Sequence, residues 1–259
     1  MPSNLFKELY KNRRIIKRLA IVDFQAEYRQ TVGGILWGFL KPILMVAAIS
    51  AAFYFRSGGE SFDLYVVSVT YGIIFWNFMN DSIRKMADMV EIQKNNFRRT
   101  SISREVISVL AVIREIIDFI IGLVVIIGVH IIMKVEITLV GIGFLSLGFL
   151  LTIFLVYGIG LTLAILTVYI RDLKYLVVHM MRVLFFVTPI FLINLPKGIL
   201  TDTLYFNPFS MAIFIGRNGI YPQNNIVPLV FFLTLWTILA CIVGRIVFTR
   251  KIHDVVDIA

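Results

Sequence analysis

Charge is scarce in this sequence. Of its 259 residues only 16% are charged, against roughly 25% in soluble chains, and with so few charges and so much apolar content it is not a disordered chain. Cysteine is nearly absent: Cys241 stands alone, which excludes a disulfide scaffold. Histidine occurs three times, as His130, His179 and His253. They fall on different segments with no Cys or acidic pair at ligand spacing, so no metal centre is expected. The dipeptide Gly-Lys does not occur, and with it goes the Gly-rich phosphate loop that ends in Gly-Lys-Ser/Thr. His-Glu-x-x-His and Gly-x-Ser-x-Gly are missing too, which leaves zinc hydrolysis and an elbow serine nucleophile without support. The chain is therefore not expected to be an enzyme, nor to carry a cofactor of its own.

What is present is apolar. Hydrophobic residues reach 59%, with 22 Phe, and the net charge is +9. One soluble core of this size could not enclose that much apolar surface. A spanning helix needs about 20 mostly apolar residues, and six stretches qualify: 35–55, 64–80, 106–133, 137–169, 175–195 and 226–248. The runs are continuous rather than alternating, so they read as helices and not as barrel strands. The expected fold is an all-α polytopic membrane protein formed by one transmembrane domain over residues 1–259. Six spans place both termini on one side. Nineteen of the 25 Lys and Arg fall on segments that share that side, and four on the opposite loops. Positive charge marks the cytoplasmic face, so both termini are expected there.

Residues 1–34 are too long and polar to read as a cleaved signal peptide. Leu5, Leu9, Ile16, Leu19 and Ala20 recur near helical spacing among Lys7, Lys11, Arg14, Lys17 and Arg18. This reads as an amphipathic helix lying in the headgroup plane; a solvated basic tail is the other reading. The outer segment 196–225 holds a short apolar run, 205–215. Eleven residues of helix make about 16 Å, which does not cross a core of about 30 Å. The run either dips in and returns or lies flat at the surface.

Charges inside spans are costly and draw a functional hypothesis by default. Arg114 and Asp118 are four apart on one helix face and can pair, with Glu115 adjacent. A structural pair near the inner headgroups fits better than a proton relay, since the second and fourth runs carry no acid. Gly141 and Gly143 lie inside an apolar run, where close helix packing is the simplest reading. Trp37 sits at interface depth. The basic loop 81–105 is punctuated by Phe97 and Ile102; it is either a solvated positive loop or a short helix presenting an apolar knob and arginines to a cytoplasmic partner.

Taken in order, these marks resemble the permease subunits of ABC type-2 exporters, in particular the polysaccharide export permeases of O-antigen and teichoic-acid systems. The resemblance covers nearly the whole chain. It rests on Gly34, Trp37 and Pro42 leading into the first span, with Arg29 before them. It continues with the 97–105 loop and with Arg171-Asp172 after the fourth run. Thr188-Pro189-Ile190-Phe191, Leu195-Pro196, Asn207-Pro208 and the charged tail 250–257 complete it. Members often carry a Pro shortly before the Arg-Glu of the loop, where this chain reads Ser101-Ile102-Ser103-Arg104-Glu105.

The resemblance implies a half-transporter in a bacterial inner membrane: a homodimer of this chain above two copies of a separate ABC ATPase, which would hold ATP and Mg. It implies that Asn96, Phe97, Arg98, Arg99, Thr100, Ser101, Ile102, Ser103, Arg104 and Glu105 couple the chain to that ATPase. It also implies that Pro189, Asn207 and Pro208 belong to outer gate helices. The cargo would be an undecaprenyl-linked glycan or related polymer, not nucleic acid. Sugar rings stack on aromatic faces, which makes Phe53, Tyr54, Phe75, Trp76, Phe185 and Phe186 candidate channel residues. An exporter of a lipid or drug has the same architecture. An ion-coupled secondary transporter would show broken spans in two similar halves, and no such repeat appears. A membrane-embedded transferase or protease would need clustered acids, His or a nucleophile near one face.

Overall fold

The computed structural model describes residues 5–28, 32–56, 61–92, 104–191, 206–222 and 226–258. Among these the chain is all-helical: α1 (Leu5–Tyr28), α2 (Leu36–Phe53), α3 (Phe62–Ala87), α4 (Met89–Ile92), α5 (Arg104–Met133), α6 (Leu139–Tyr169), α7 (Leu173–Val187), α8 (Pro208–Gly216) and α9 (Ile226–Ile258). Five of them, α2, α3, α5, α6 and α9, are long and apolar enough to cross a membrane. The expected all-α polytopic architecture is the one observed.

Two runs differ from their expected extents. The second does not stop at Asn80; α3 continues through Asp81, Arg84 and Lys85 to Ala87. The fifth run, expected over 175–195, is not one continuous helix over its described residues. Its helix α7 has 15 residues, about 22 Å, and ends where Thr188 turns extended (φ −76°, ψ 132°). Pro189 is the cause, since a proline pushes the residue before it out of the helical region. At the other end, α9 runs past Phe248 into the charged tail, over 33 residues.

Helix α3 is the centre of the molecule. In its most apolar stretch 78% of residues are buried, against 17% in α2 and α9. Tyr65, Phe75, Met79 and Met86 are fully enclosed by neighbouring helices. By contrast α2, α7 and α9 display large exposed apolar side chains, among them Leu44, Phe186, Phe231 and Ile242, as expected of surfaces that face lipid or another apolar partner. Helices α6 and α9 approach most closely: a Cβ at Gly158 would press on the backbone of Ala240 and Cys241, and one at Gly244 on the backbone of Gly158. Small residues four apart, Ala240 and Gly244, permit that approach.

The amphipathic reading of α1 agrees with its packing. Ile16 and Ala20 are buried and Leu19 half-buried against Leu110, Ile113 and Ile117 of α5. The cationic side chains Lys11, Arg14, Lys17 and Arg18 stay exposed.

Candidate functional site

The start of α2, the end of α3 and the first half of α5 carry a cluster of charges. On α5, Arg114 bonds its neighbour Glu115 at 2.8 Å and Asp118 at 3.2 Å. The second contact is the four-residue pair expected from spacing. The first partner of Glu115 on another helix is Lys85 of α3, whose Nζ donates to the same Oε1 that Arg114 meets. Glu115 is 2% exposed. A carboxylate so enclosed needs partners to stay charged, and here two cations from two helices supply them. The bridge ties α3 to α5 through residues 30 positions apart.

Beside this cluster lies a cavity of about 340 Å³. Its walls carry Lys41 and Pro42 from α2, Asp81 and Lys85 from α3, and Glu115 and Asp118 from α5. Arg84 and Asp88 line it as well. Acids and bases both face the hollow, so it can hold water or a polar group. Asp81, Arg84, Lys85 and Asp88 were read from the sequence as loop residues. Their spacing of three, four and seven is the helical signal that places them on one face of an extended α3. Among the described residues no set of three His, Cys, Asp or Glu is placed to hold a metal ion.

The end of α3 is held in place. Thr167 of α6 donates its hydroxyl to the carbonyl of Ala87 at 2.7 Å, close to where α4 leads toward the basic loop. Residues 96–103 of that loop, and Arg29, lie outside the described residues. Arg104 and Glu105 open α5. Of the approach to the first span, Gly34 takes a positive φ of 49°, a conformation that a side chain disfavours. Trp37 is exposed and Pro42 buried. Arg171 and Asp172 form an exposed turn between α6 and α7, apart from the cavity lining.

At the other end the motifs meet. The Tyr65 hydroxyl donates to the carbonyl of Phe191 at 3.0 Å, and Ile190 is wholly buried against Gly72, where a Cβ would stand 2.8 Å from the Ile190 carbonyl oxygen. Asn207 caps α8, accepting from the Phe209 N–H at 3.0 Å, and its Nδ2 donates to Thr188 Oγ1 at 3.3 Å. Pro208 starts the helix, where its missing N–H costs nothing. Phe209 to Gly216 are all buried, with Gly216 against Phe75 and Gly148. Phe209–Gly216 therefore pack among the other helices, and Pro189, Asn207 and Pro208 share one neighbourhood. Asn207→Ala removes a cap and the Thr188 contact, and is expected to cost about 1–2 kcal/mol, read as a lower thermal midpoint in detergent, whereas Asn207→Asp keeps the cap and loses less.

His130 is a satisfied core residue. The Val135 carbonyl can only accept, so Nδ1 donates to it (2.9 Å) and in the neutral ring Nε2 accepts from the Tyr71 hydroxyl (3.2 Å). The aromatic candidates divide. Phe75 and Trp76 are core residues within one chain, Phe75 edge-on to Phe119 and Trp76 edge-on to Phe185 and Phe209. Phe53 stacks on Phe191 at 4.5 Å, and Tyr54 lies against Tyr65. Phe186 is 66% exposed. The structure thus joins Phe53, Trp76 and Phe185 around Phe191 and Phe209, while Phe75 packs beneath Gly216 and Phe186 points away from the core.

Comparison with known proteins adds one likeness. The sequence is 23% identical over 198 residues to the O-antigen export system permease protein RfbA of Myxococcus xanthus, a match that spans 72% of this chain and 71% of that one. No protein-family model matches the sequence.

Proposed function

We propose, from the premise that this chain is similar to ABC type-2 polysaccharide-export permeases and acts as an ABC transporter permease subunit, that it is the membrane half of an ATP-driven exporter of a lipid-linked polysaccharide. The observation that carries the reading is the likeness to an O-antigen export permease over 72% of the chain, joined to the ordered motifs of the sequence. The likeness favours a polymer cargo over a free lipid or drug. In this reading two copies form the path, with both termini in the cytoplasm of a bacterial cell and α7 in a sixth crossing. ATP and Mg belong to a separate ATPase, and the chain itself is not an enzyme.

The loop 94–105 is the contact with that ATPase. It is carried between α3 and α5, the two helices bridged by Lys85 and Glu115. A push on the loop therefore moves both helices together, and the charged cavity beside them lets ion pairs change partners as they move. At the far end, the enclosed α8 and the Thr188–Phe191 segment close the path until α3 shifts.

Affinity purification of the tagged chain in mild detergent tests the partnership. A stoichiometric soluble ATPase, active in the eluate, is expected; a lone chain under conditions that preserve the dimer would overturn it. Arg98→Glu with Arg99→Glu is expected to leave insertion intact and to reduce transport at least tenfold while the ATPase itself still hydrolyses ATP. Normal transport by that double variant would remove the loop from the coupling role.

A further inference from the structure

We propose that the groove between α1 and α5 binds one anionic phospholipid, with an acyl chain along its apolar wall and the phosphate between Arg13 and Lys17. The groove has a volume of about 450 Å³. One wall is a stripe on α5, Val109, Ile113 and Ile117, each four residues from the next. The stripe runs about 12 Å along the helix axis, parallel to the lipid chains if α5 crosses the membrane. The opposite wall is Ile16 and Ala20 of α1.

Among the described residues the polar ones of the lining are Arg13 and Lys17. They are four apart, so they stand on the same side of α1, and both are exposed. The Arg13 guanidinium lies over the Tyr10 ring at 4.1 Å, a cation–π contact that restricts where that charge can go. Among the described residues no acid lines the groove. An apolar slot with two cations at its rim complements an amphiphile with one anionic head. A second copy of the chain is a poor occupant, because its own α1 would bring the same cluster of cations, Lys11, Arg14 and Arg18 among them, toward these two. The site depends on the membrane reading alone and stands or falls apart from the cargo or the ATPase.

The test uses the full chain in nanodiscs of phosphatidylcholine doped with phosphatidylglycerol. After extraction in mild detergent, retained lipid is counted by native mass spectrometry. Phosphatidylglycerol should be retained at one per chain in preference to phosphatidylcholine. Arg13→Gln with Lys17→Gln should weaken that retention about 30-fold, the effect of removing two surface-level cations. Arg14→Gln with Arg18→Gln removes the same charge from elsewhere on α1 and should change retention less than threefold. Val109→Trp, which fills the slot and leaves every charge in place, should also expel the lipid. The exchange Arg13→Lys with Lys17→Arg should keep it, which separates a lost site from a misfolded helix. Equal losses in the two charge-removing doubles would overturn the proposal in favour of diffuse attraction to a basic helix. Equal retention of the two lipids would overturn it as well. Displacement of phosphatidylglycerol by a stoichiometric amount of polyprenyl phosphate would assign the groove to a different lipid and would likewise overturn it.

Discussion

Gly158→Leu is expected to abolish accumulation of folded protein. Helices α6 and α9 meet backbone to backbone at this position; a Cβ would stand 2.5 Å from the Cys241 nitrogen and 2.7 Å from the Ala240 oxygen. Neither atom can swing aside as a side chain would, so the helices themselves must part. Overpacking by one methyl commonly costs 1–3 kcal/mol, and in a membrane the interface has few other sources of attraction to replace lost contact, since lipid is as apolar as the helix surface. Gly158→Ala should therefore lower the thermal midpoint clearly, by about 2–3 kcal/mol, and leucine should remove the monodisperse peak in fluorescence-detected size exclusion. Gly143→Ala is the internal control. It lies in the same helix with nothing within 4 Å of the added carbon, and alanine is the better helix former by about 1 kcal/mol. Expression at or above the parent level is expected there. A folded, stable Gly158→Leu would show that α6 and α9 do not pack as described.

Arg114→Ala is expected to be more damaging than Arg114→Ala combined with Asp118→Ala. The single change strips one cation from two carboxylates. Glu115 retains Lys85, while Asp118, partly buried, loses its contact with Arg114. Removing one partner of a buried pair commonly costs about 3–5 kcal/mol; because Asp118 is about one-third exposed, the lower end is expected. The double variant should recover part of that loss. A coupling of about 1 kcal/mol or more in a double-mutant cycle, read from thermal midpoints in detergent, would support the pair. Additive losses would remove it. Lys85→Met in the same cycle should couple to Glu115→Gln, because the Lys85 bridge ends on Glu115.

The sequence makes some of this legible and hides the rest for physical reasons. Long continuous apolar runs identify α2, α3, α5, α6 and α9, because nothing else buries so many apolar residues in sequence. The Arg114–Asp118 pair is legible because four residues make one helical turn. Its tie to Lys85 is not, because that contact joins positions 85 and 115 across two helices and leaves no local spacing. Asp81 reads as the end of a span when charge is taken to mark the membrane boundary. In the fold it faces a polar hollow instead, and the helix continues. The end of α7 was written in Thr188-Pro189, but the apolar residues on either side outweighed that signal. Gly141 and Gly143 looked equivalent as packing glycines, yet residues two apart face different ways on a helix. Gly141 meets Gly219, and Gly143 meets nothing.

The enclosure of α3 has a consequence for how the chain is made. It is the least apolar of the five long helices and carries Asp63 at its start and Arg84 and Lys85 in its last turn. Of the partners that enclose it, α2 is synthesised earlier, whereas α5, α6 and α8 are synthesised later. A nascent chain that has emerged only through α3 holds a segment with weak claim to the lipid and only α2 to pack against. Its integration gains most from downstream helices. Chains truncated after residue 92 should therefore be retained poorly in the membrane and degraded, whereas chains ending after α6 should hold α3 across the bilayer, as glycosylation or protease mapping of the two truncations would record.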